Sequence, residues 1–190
     1  MAVRAMVLRA PGTNCDHELR HALNTAGFES DDVHINELIS GAKKLSDYRL
    51  LGFPGGFSAG DYLGSGKVFA NKLLFRLRNE VPDFINAGNL VIGICNGFQV
   101  LIKSGLLPGW DDSNGDVQPA TLANNDSGKF EDRWIHMVAE PEQCVFLQGI
   151  ERLDLPIAHG EGKFVCRDAA VLERLQSNGQ VVLRYAATES

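Results

Sequence analysis

The sequence predicts an α/β fold in which an open, mostly parallel sheet carries helices on both faces. Two observations lead to this prediction. Short apolar segments alternate with amphipathic segments through the first half of the chain, and turn-forming glycine, proline and asparagine residues separate them. Strands and helices that alternate at this spacing indicate right-handed βαβ units, which build a parallel sheet covered on both sides.

The first two elements are a strand and a helix. Residues 2–8 form a short apolar run that ends before the turn sequence Pro-Gly-Thr-Asn. Within residues 16–26, Leu19 and Leu23 mark an apolar side at four-residue spacing, and Gly27 follows as a stop signal. Five later segments continue the alternation: strands at residues 32–36, 48–53 and 89–94, and helices at residues 67–79 and 97–104.

The second half of the chain has a less regular pattern. Residues 111–128 are polar and turn-rich and receive no assignment. Strands are predicted at residues 133–138, 144–147, 163–166 and 181–185. Because no internal repeat and no low-complexity linker divides the sequence, we expect one domain over residues 1–190.

Composition and charge narrow the class of protein. The 190 residues are 44% hydrophobic and 22% charged, which is ordinary for a globular protein, and the net charge of −6 includes no long run of either sign. Nothing therefore points to nucleic acid or to an anionic membrane as a partner. No apolar stretch approaches the ~20 residues of a membrane span, and no signal-peptide pattern opens the chain. A cytoplasmic protein is expected.

The cysteines and most of the histidines do not indicate a metal site. Cys15, Cys95, Cys144 and Cys166 are widely separated and form no Cys-x-x-Cys pair, so four reduced thiols are expected. His17 and His21 have the spacing of a metal pair on a helix, but no third ligand is evident, and solvated helix residues are the alternative. His34 and His136 lie in strand-like segments without a recognisable partner. No metal site is predicted.

One cysteine stands at a position that favours chemistry. Cys95 lies between Gly93 and Gly97, directly after the apolar strand at residues 89–94 and directly before a helix. Ligands bind beyond the carboxyl ends of strands in such sheets, and a tight strand-to-helix turn exposes its central side chain. The helix N-terminus can lower a thiol pKa and hold an oxyanion. The alternative is a buried cysteine acting as a small hydrophobe.

A second signal is the glycine-rich sequence Pro-Gly-Gly-Phe-Ser-Ala-Gly-Asp at residues 54–61. It follows another strand of the same sheet, so its backbone can face the cysteine turn. An oxyanion hole needs two donors, and we predict the N–H of Asn96 with an N–H of Gly55 or Gly56. The alternative is an ordinary glycine-rich loop; neither phosphate-binding glycine pattern is present.

At these two motifs the chain resembles the class I, triad-type glutamine amidotransferases, and more closely the glutaminase of phosphoribosylformylglycinamidine synthase. Five blocks carry the resemblance in the family's order and together span nearly the whole chain. They are RAPGTNCD at residues 9–16, GFPGGFSAGDYLGSG at 52–66, GICNGFQVLIKSGLLPG at 93–109, KFEDRW at 129–134 and IAHGEGKF at 157–164.

The resemblance implies a flavodoxin-like architecture and a reaction. The Cys95 thiolate attacks the side-chain amide of glutamine, ammonia leaves from a thioester, and water releases glutamate. Gln99 is expected to contact the substrate. The ammonia passes to a synthetase that makes formylglycinamidine ribonucleotide in purine biosynthesis. The resemblance thus implies that this chain is a hydrolase that supplies ammonia to a ligase. ATP and magnesium belong to that partner, no cofactor is expected in this chain, and a third small subunit can join the complex.

The general base is not carried over by the resemblance. The family places a histidine and a glutamate in a Pro-His-Pro-Glu segment, and no such segment occurs in the 190 residues. We therefore expect a domain that is incomplete at its C-terminus. His159 and Glu161 form another His-x-Glu pair that could substitute, because alternate residues of an extended segment share a face. The other possibilities are a substrate-cleft or partner-facing role and an exposed polar turn.

Two further functions stay open at this point. A chain without the usual base can be an inactive glutaminase-like module that only binds the synthetase. A thiol at such a turn can also belong to another α/β cysteine hydrolase or to a redox-sensing protein. Thioester formation at Cys95 separates the enzyme from the inactive module.

Overall fold

The structure is a computed structural model, and it describes residues 2–110 and 118–186. Two compact units make up the chain, Met1–Trp110 and Asp111–Ser190, and each is described by itself. The expectation of one functional domain over residues 1–190 stays a prediction. Part of the unassigned segment at residues 111–128, namely residues 111–117, lies outside the described residues.

The first unit contains the predicted parallel sheet. Its four strands are β1 (Val3–Arg9), β2 (Phe28–His34), β3 (Leu50–Phe53) and β4 (Leu90–Gly93). They lie in the order β2-β1-β3-β4 and all pair in parallel. Their carboxyl ends therefore meet at one edge of the sheet, where a ligand site is expected in this class of fold.

Helices cover both faces of this sheet. The unit has α1 (Asp16–Thr25), α2 (Ile35–Ile39), α3 (Lys67–Arg76), α4 (Glu80–Asn86) and α5 (Asn96–Lys103). On one face α1 packs Leu19 and Leu23 against Ala5, Val7 and Leu50 of the strands. The opposite strand residues pack against the other helices, and the buried set there includes Met6, Leu8, Leu51, Phe53, Phe69, Leu73, Val81, Phe84 and Val100. This arrangement confirms the predicted fold class.

Two predicted boundaries in the first unit were wrong for local reasons. The strand predicted at residues 32–36 is β2, which begins at Phe28 and ends at His34. The His34 ring accepts a hydrogen bond from the N–H of Asn36, and the Glu37 carboxylate accepts from the N–H of His34, so a capping box starts α2 there. The helix predicted at residues 67–79 ends at Arg76. A separate helix, α4, follows, with Pro82 in its first turn, where a missing N–H is tolerated.

The second unit is antiparallel. Its strands are β5 (Ala120–Ala123), β6 (Glu131–Ala139), β7 (Arg152–His159), β8 (Lys163–Cys166) and β9 (Leu183–Tyr185), and its helix is α6 (Ala169–Ser177). Strand β5 pairs with β8, and β6 lies between β7 and β9. The predictions at residues 133–138, 163–166 and 181–185 are confirmed as strands β6, β8 and β9.

The remaining predictions in the second unit need correction. Residues 144–147 are not a strand, because Val145–Leu147 form a turn of 3₁₀ helix. Strand β7 was missed since Pro156 interrupts its pattern, but Pro156 lies at an edge strand, where proline is accepted. Helix α6 had a readable start signal: the Asp168 carboxylate caps it by accepting from the N–H of Val171 at 2.9 Å.

Candidate active site

The site begins with the backbone of Cys95, which lies between β4 and α5. Its φ of 54° and ψ of −115° are outside the ordinary regions for a residue with a side chain. Two hydrogen bonds hold the turn in place: the N–H of Ile94 donates to the carbonyl oxygen of Phe53 at 3.0 Å, and the N–H of Gly97 donates to that of Ile94 at 2.9 Å. Strained residues of this kind persist where the surroundings over-determine them, and they cluster at functional sites.

The two flanking glycines are required by close packing. A Cβ atom on Gly97 would overlap the carbonyl oxygen of Phe53, and one on Gly93 would overlap Leu101 and the backbone of Gly97. Helix α5 can therefore start against the end of β3 only without side chains at these positions. The Cys95 side chain is exposed at the top of the turn. This confirms the predicted strand-to-helix geometry and contradicts the alternative of a buried packing cysteine.

The loop after β3, residues 54–66, lies beside this turn and is called the β3 loop. A methyl group on Gly55 would lie 3.3 Å from Cβ of Cys95 and 3.5 Å from Sγ of Cys15. The absence of a side chain at Gly55 thus lets the backbone approach the thiol. The structure brings Gly55 and Cys95 together, with Gly56 and Asn96 as their chain neighbours. Which N–H groups bind an oxyanion stays a prediction.

The loop after β1, residues 10–15, fastens the β3 loop from the other side. The N–H of Cys15 donates to the carbonyl oxygen of Gly55 at 3.3 Å, and the N–H of Phe57 donates to that of Gly12 at 3.0 Å. Thr13 and Gly56 form an antiparallel bridge. Burial raises the pKa of the Cys15 thiol, and the charges of Glu18, Cys95 and Asp16 add to the increase. A neutral thiol is therefore expected at this edge of the site.

A buried side-chain network connects the cysteine turn to the β3 loop. Asn96, which is 3% exposed, accepts from the N–H of Ser58 at 3.2 Å. Its amide nitrogen donates to Oδ1 of Asp61 at 3.2 Å and to Oε1 of Gln99 at 3.0 Å. Gln99 is 7% exposed. Its predicted contact with substrate is not tested by this geometry and stays a prediction.

Sequence reasoning missed the role of Asp61. In the sequence it is only the last residue of a glycine-rich stretch, although in the structure its carboxylate receives two hydrogen bonds. The sequence signal that could have found it is an aspartate directly after a glycine in a turn, since both residues tolerate the positive φ that the loop adopts there.

His159 lies in the second unit, at the end of β7, and is held by Asn125. Nδ1 of its ring lies 2.9 Å from Oδ1 of Asn125. The Asn125 amide orientation is defined by the backbone, because its nitrogen donates to the carbonyl oxygens of Lys129 and His159 and its oxygen accepts from the N–H of Gly162. The oxygen can only accept, so the ring donates from Nδ1. In the neutral ring Nε2 then carries the lone pair.

The remaining histidines have other surroundings. The exposed ring of His17 lies 3.4 Å from the Arg20 guanidinium, and His136 pairs with Asp154 at 2.6 Å on the strand pair β6 and β7. Among residues 2–110 and 118–186, no group of three or more His, Cys, Asp or Glu side chains is arranged to hold a metal ion. Over the same residues, no helix has the length and apolar character that crossing a membrane requires.

Comparisons with known proteins agree with the geometry. A family model described as the CobB/CobQ-like glutamine amidotransferase domain matches residues 2–190. The phosphoribosylformylglycinamidine synthase subunit PurQ of Dehalococcoides mccartyi is 49% identical over 164 residues, which cover 86% of this chain and 63% of that protein. The subunit of the same name from Methanococcus maripaludis is 44% identical over 188 residues, or 98% and 68% of the two chains. The chain thus spans about two thirds of the length of these relatives.

Solved structures give the same result for the fold. The PurLQS structure from Thermotoga maritima matches with a TM-score of 0.74 and 37% identity, covering 98% of this chain and 76% of that chain. A glutamine amidotransferase from the same organism matches with a TM-score of 0.53 at 19% identity, covering 87% of this chain and 64% of that one, which shows a shared fold.

Proposed function

The chain belongs to the CobB/CobQ-like glutamine amidotransferase family and, within it, to the PurQ subunits, and on that premise we propose that it hydrolyses glutamine for phosphoribosylformylglycinamidine synthase. One observation carries the proposal. Cys95 is exposed in a strained turn at the start of α5, beside the backbone of Gly55. A nucleophile at a helix N-terminus with a glycine backbone next to it suits acyl transfer.

The reaction proceeds in two steps. The Cys95 thiolate attacks the side-chain carbonyl carbon of glutamine, and the carbonyl oxygen takes up negative charge beside the first N–H groups of α5 and the β3 loop. Collapse of this intermediate breaks the carbon–nitrogen bond, and the nitrogen leaves as ammonia after taking up a proton. Water then attacks the thioester and releases glutamate and the thiol. Backbone donors that are already in place lower the barrier without reorganising during the reaction.

A general base is needed to move these protons, and His159 is the candidate among the described residues. The hydrogen bond to Asn125 leaves its Nε2 as the acceptor in the neutral ring. Asn125 takes the orienting position at Nδ1 in this geometry. Glu161 lies in the bend after β7, outside the extended segment, and we propose for it the substrate-cleft or partner-facing role that the His-x-Glu pattern also allows. Both assignments belong to the proposal.

The partner in this proposal is the synthetase subunit PurL, together with the small subunit PurS, as in the PurLQS complex from Thermotoga maritima. ATP, magnesium and the ribonucleotide bind to the synthetase, and the ammonia travels to it. We place the complex in the cytoplasm, where reduced cysteines such as those of this chain are maintained.

The variant Cys95→Ser tests the function in the complex with the synthetase. A hydroxyl is a far poorer nucleophile than a thiolate, so glutamine-dependent synthesis should fall by orders of magnitude. Synthesis from ammonia should be unchanged, because it needs only the partner. The measurement is product formation with each nitrogen source, and Cys166→Ser in the second unit is the matched control.

Two outcomes would contradict this prediction. Glutamine-dependent synthesis that persists in Cys95→Ser would show that another group is the nucleophile. A wild-type complex that uses ammonia but not glutamine would favour the inactive module, which binds the synthetase without forming a thioester.

A further inference from the structure

We propose that the side chains of Asn96 and Asp61 are positioning residues that set the distance between the β3 loop and the Cys95 nucleophile, and so hold the oxyanion hole in its active form. The inference rests on the proposed function, because it concerns the oxyanion of the same acyl transfer. Neither side chain is assigned contact with the substrate.

The first step is the orientation of the Asn96 amide. Its oxygen faces the N–H of Ser58, while its nitrogen faces the acceptor oxygens of Asp61 and Gln99. In a flipped amide, the nitrogen would face the N–H of Ser58 and the oxygen would face the oxygens of Asp61 and Gln99, so none of these hydrogen bonds could form. Only one orientation therefore satisfies the network. Asn96 and Ser58 are 3% and 1% exposed, and polar groups buried this deeply depend on their hydrogen bonds.

The second step is the strain in the β3 loop. Ala59, Gly60 and Asp61 follow one another with φ of 54°, 67° and 52°. Residues with side chains avoid this region, and consecutive ones are rarer still. The loop therefore requires outside contacts to keep this shape, and the network supplies them at Ser58 and Asp61.

The third step is the reach of the Asp61 carboxylate. Its Oδ1 accepts from the amide of Asn96 and also from the N–H of Gly66 at 3.1 Å. Gly66 itself packs on α5, since a Cβ atom there would lie 2.9 Å from the N atom of Val100. A single oxygen of Asp61 thus joins the strained segment to Asn96, the first residue of α5, and to Gly66 at the far end of the β3 loop.

These contacts connect the β3 loop directly to the turn that holds the nucleophile. Asn96 is the residue next to Cys95 in the chain, and its side chain is bonded to the loop that contains Gly55 and Gly56. A shift of the loop away from α5 would separate the two predicted oxyanion donors. The thiol itself would remain in its turn, because Gly93, Gly97 and the strand end hold it independently.

The test compares two reagents that label Cys95. A chloroketone analogue of glutamine, in which a chloromethyl ketone replaces the amide, depends on polarisation of its carbonyl oxygen. Iodoacetamide reacts by direct displacement and forms no oxyanion. The ratio of the two labelling rates, measured by mass spectrometry in the complex, therefore reports on the oxyanion hole separately from thiol reactivity.

We expect this ratio to fall roughly 10- to 100-fold in Asp61→Ala and in Asn96→Asp, since loss of a whole oxyanion donor costs about 10²- to 10³-fold in rate. Asp61→Ala removes the carboxylate that accepts from Asn96 and Gly66. Asn96→Asp replaces the donating amide nitrogen with a carboxylate oxygen, which cannot donate to the oxygens of Asp61 and Gln99. Asp61→Asn keeps an oxygen that can accept from both Asn96 and Gly66, so its ratio should stay within about twofold of wild type.

Either of two results overturns the inference. The ratio can stay unchanged in both disrupting variants, including the case in which both rates fall together, or the wild type can show no preference for the chloroketone. Failure of the proposed function is a separate result, since it is observed as wild-type glutamine use that does not depend on Cys95.

Discussion

At the scale of single residues, glycine placement decides whether Cys95 can serve as a nucleophile. The neighbouring Gly97 has no unusual φ, so its importance does not come from backbone freedom. It comes from the carbonyl oxygen of Phe53, which occupies the space of a side chain. The strained turn at Cys95 therefore depends on packing between α5 and the end of β3.

Gly97→Ala is predicted to disrupt the turn. The added methyl group forces α5 away from β3, and overpacking of this kind costs about 1–3 kcal/mol in the free energy of unfolding. Glutamine-dependent activity should fall as well, because the Cys95 backbone shifts. Thermal unfolding and glutamate release in the complex measure the two effects.

Gly160→Ala is the matched control for this substitution. Gly160 has no positive φ, and the nearest atom to an added Cβ lies 3.9 Å away, at Phe130. The free energy of unfolding of Gly160→Ala should stay close to that of the wild type. Equal losses in the two variants would show that the contact with Phe53 is not the cause.

At the scale of elements, a polar cluster ties β1 to β2 across the edge of the sheet. Tyr48 donates from its hydroxyl to the Asp31 carboxylate at 2.7 Å, and Arg4 pairs with the same oxygen at 2.6 Å. The Arg4 guanidinium also lies 4.6 Å from the centre of the Tyr48 ring. The cluster explains how an edge strand as polar as β2 is retained in the sheet.

The cluster makes the free energy of unfolding fall at both low and high pH. The hydrogen bond from Tyr48, with Lys43 and Arg4 nearby, holds the pKa of Asp31 below its ordinary value. That stabilisation is present above the ordinary pKa and disappears as the pH falls through the lowered one. Burial, followed by the hydrogen bond to Asp31 and its charge, raises the pKa of Tyr48 to about 12. Its contribution is complete below pH ~10 and is lost as the pH rises through about 12.

Tyr48→Phe is therefore predicted to destabilise the protein by about 1 kcal/mol at neutral pH, a discounted value because Asp31 is partly exposed. The difference from wild type should shrink as the pH falls through the lowered Asp31 pKa. Urea unfolding at several pH values measures it. Tyr62→Phe, at a hydroxyl on an 88% exposed side chain, is the control. A difference that does not change with pH would indicate that packing of the ring, rather than the hydrogen bond, is responsible.

At the scale of the whole molecule, the residues proposed for the reaction belong to two different units of the chain. The nucleophile and the predicted oxyanion donors belong to Met1–Trp110, and the candidate base belongs to Asp111–Ser190. The proposed function therefore predicts that a substitution in the second unit changes the rate of glutamate release.

His159→Ala is predicted to lower glutamate release in the complex by about 10²- to 10⁴-fold, the usual contribution of a general base. Added imidazole should restore part of the rate if the ring acts as a base. His136→Ala, at an exposed histidine paired with Asp154, is the control within the same unit. An unchanged rate in His159→Ala would assign the base to a different residue.

The sequence by itself determined the fold class and the family, and it predicts the nucleophile. The fold class follows from the alternation of strands and helices, and the nucleophile is predicted from the cysteine between two glycines at a strand end. The family follows from the resemblance of five sequence blocks. The same local reasoning failed where long-range pairing decides the structure. Val145–Leu147 reads as a strand and is a 3₁₀ turn, and β7 was missed although it pairs along its whole length with β6.

Only the tertiary structure decided how the site is held together. Asn96, Asp61 and Ser58 are close in space because the carboxyl ends of parallel strands meet at one edge, and their spacing along the chain carries no sign of it. The same holds for Asn125, which lies in the connection between β5 and β6 and contacts the His159 ring from a distant position in the chain. Hydrogen bonds between distant segments depend on how the chain packs, so the order of residue types can predict a nucleophile but not the side chains that hold it in place.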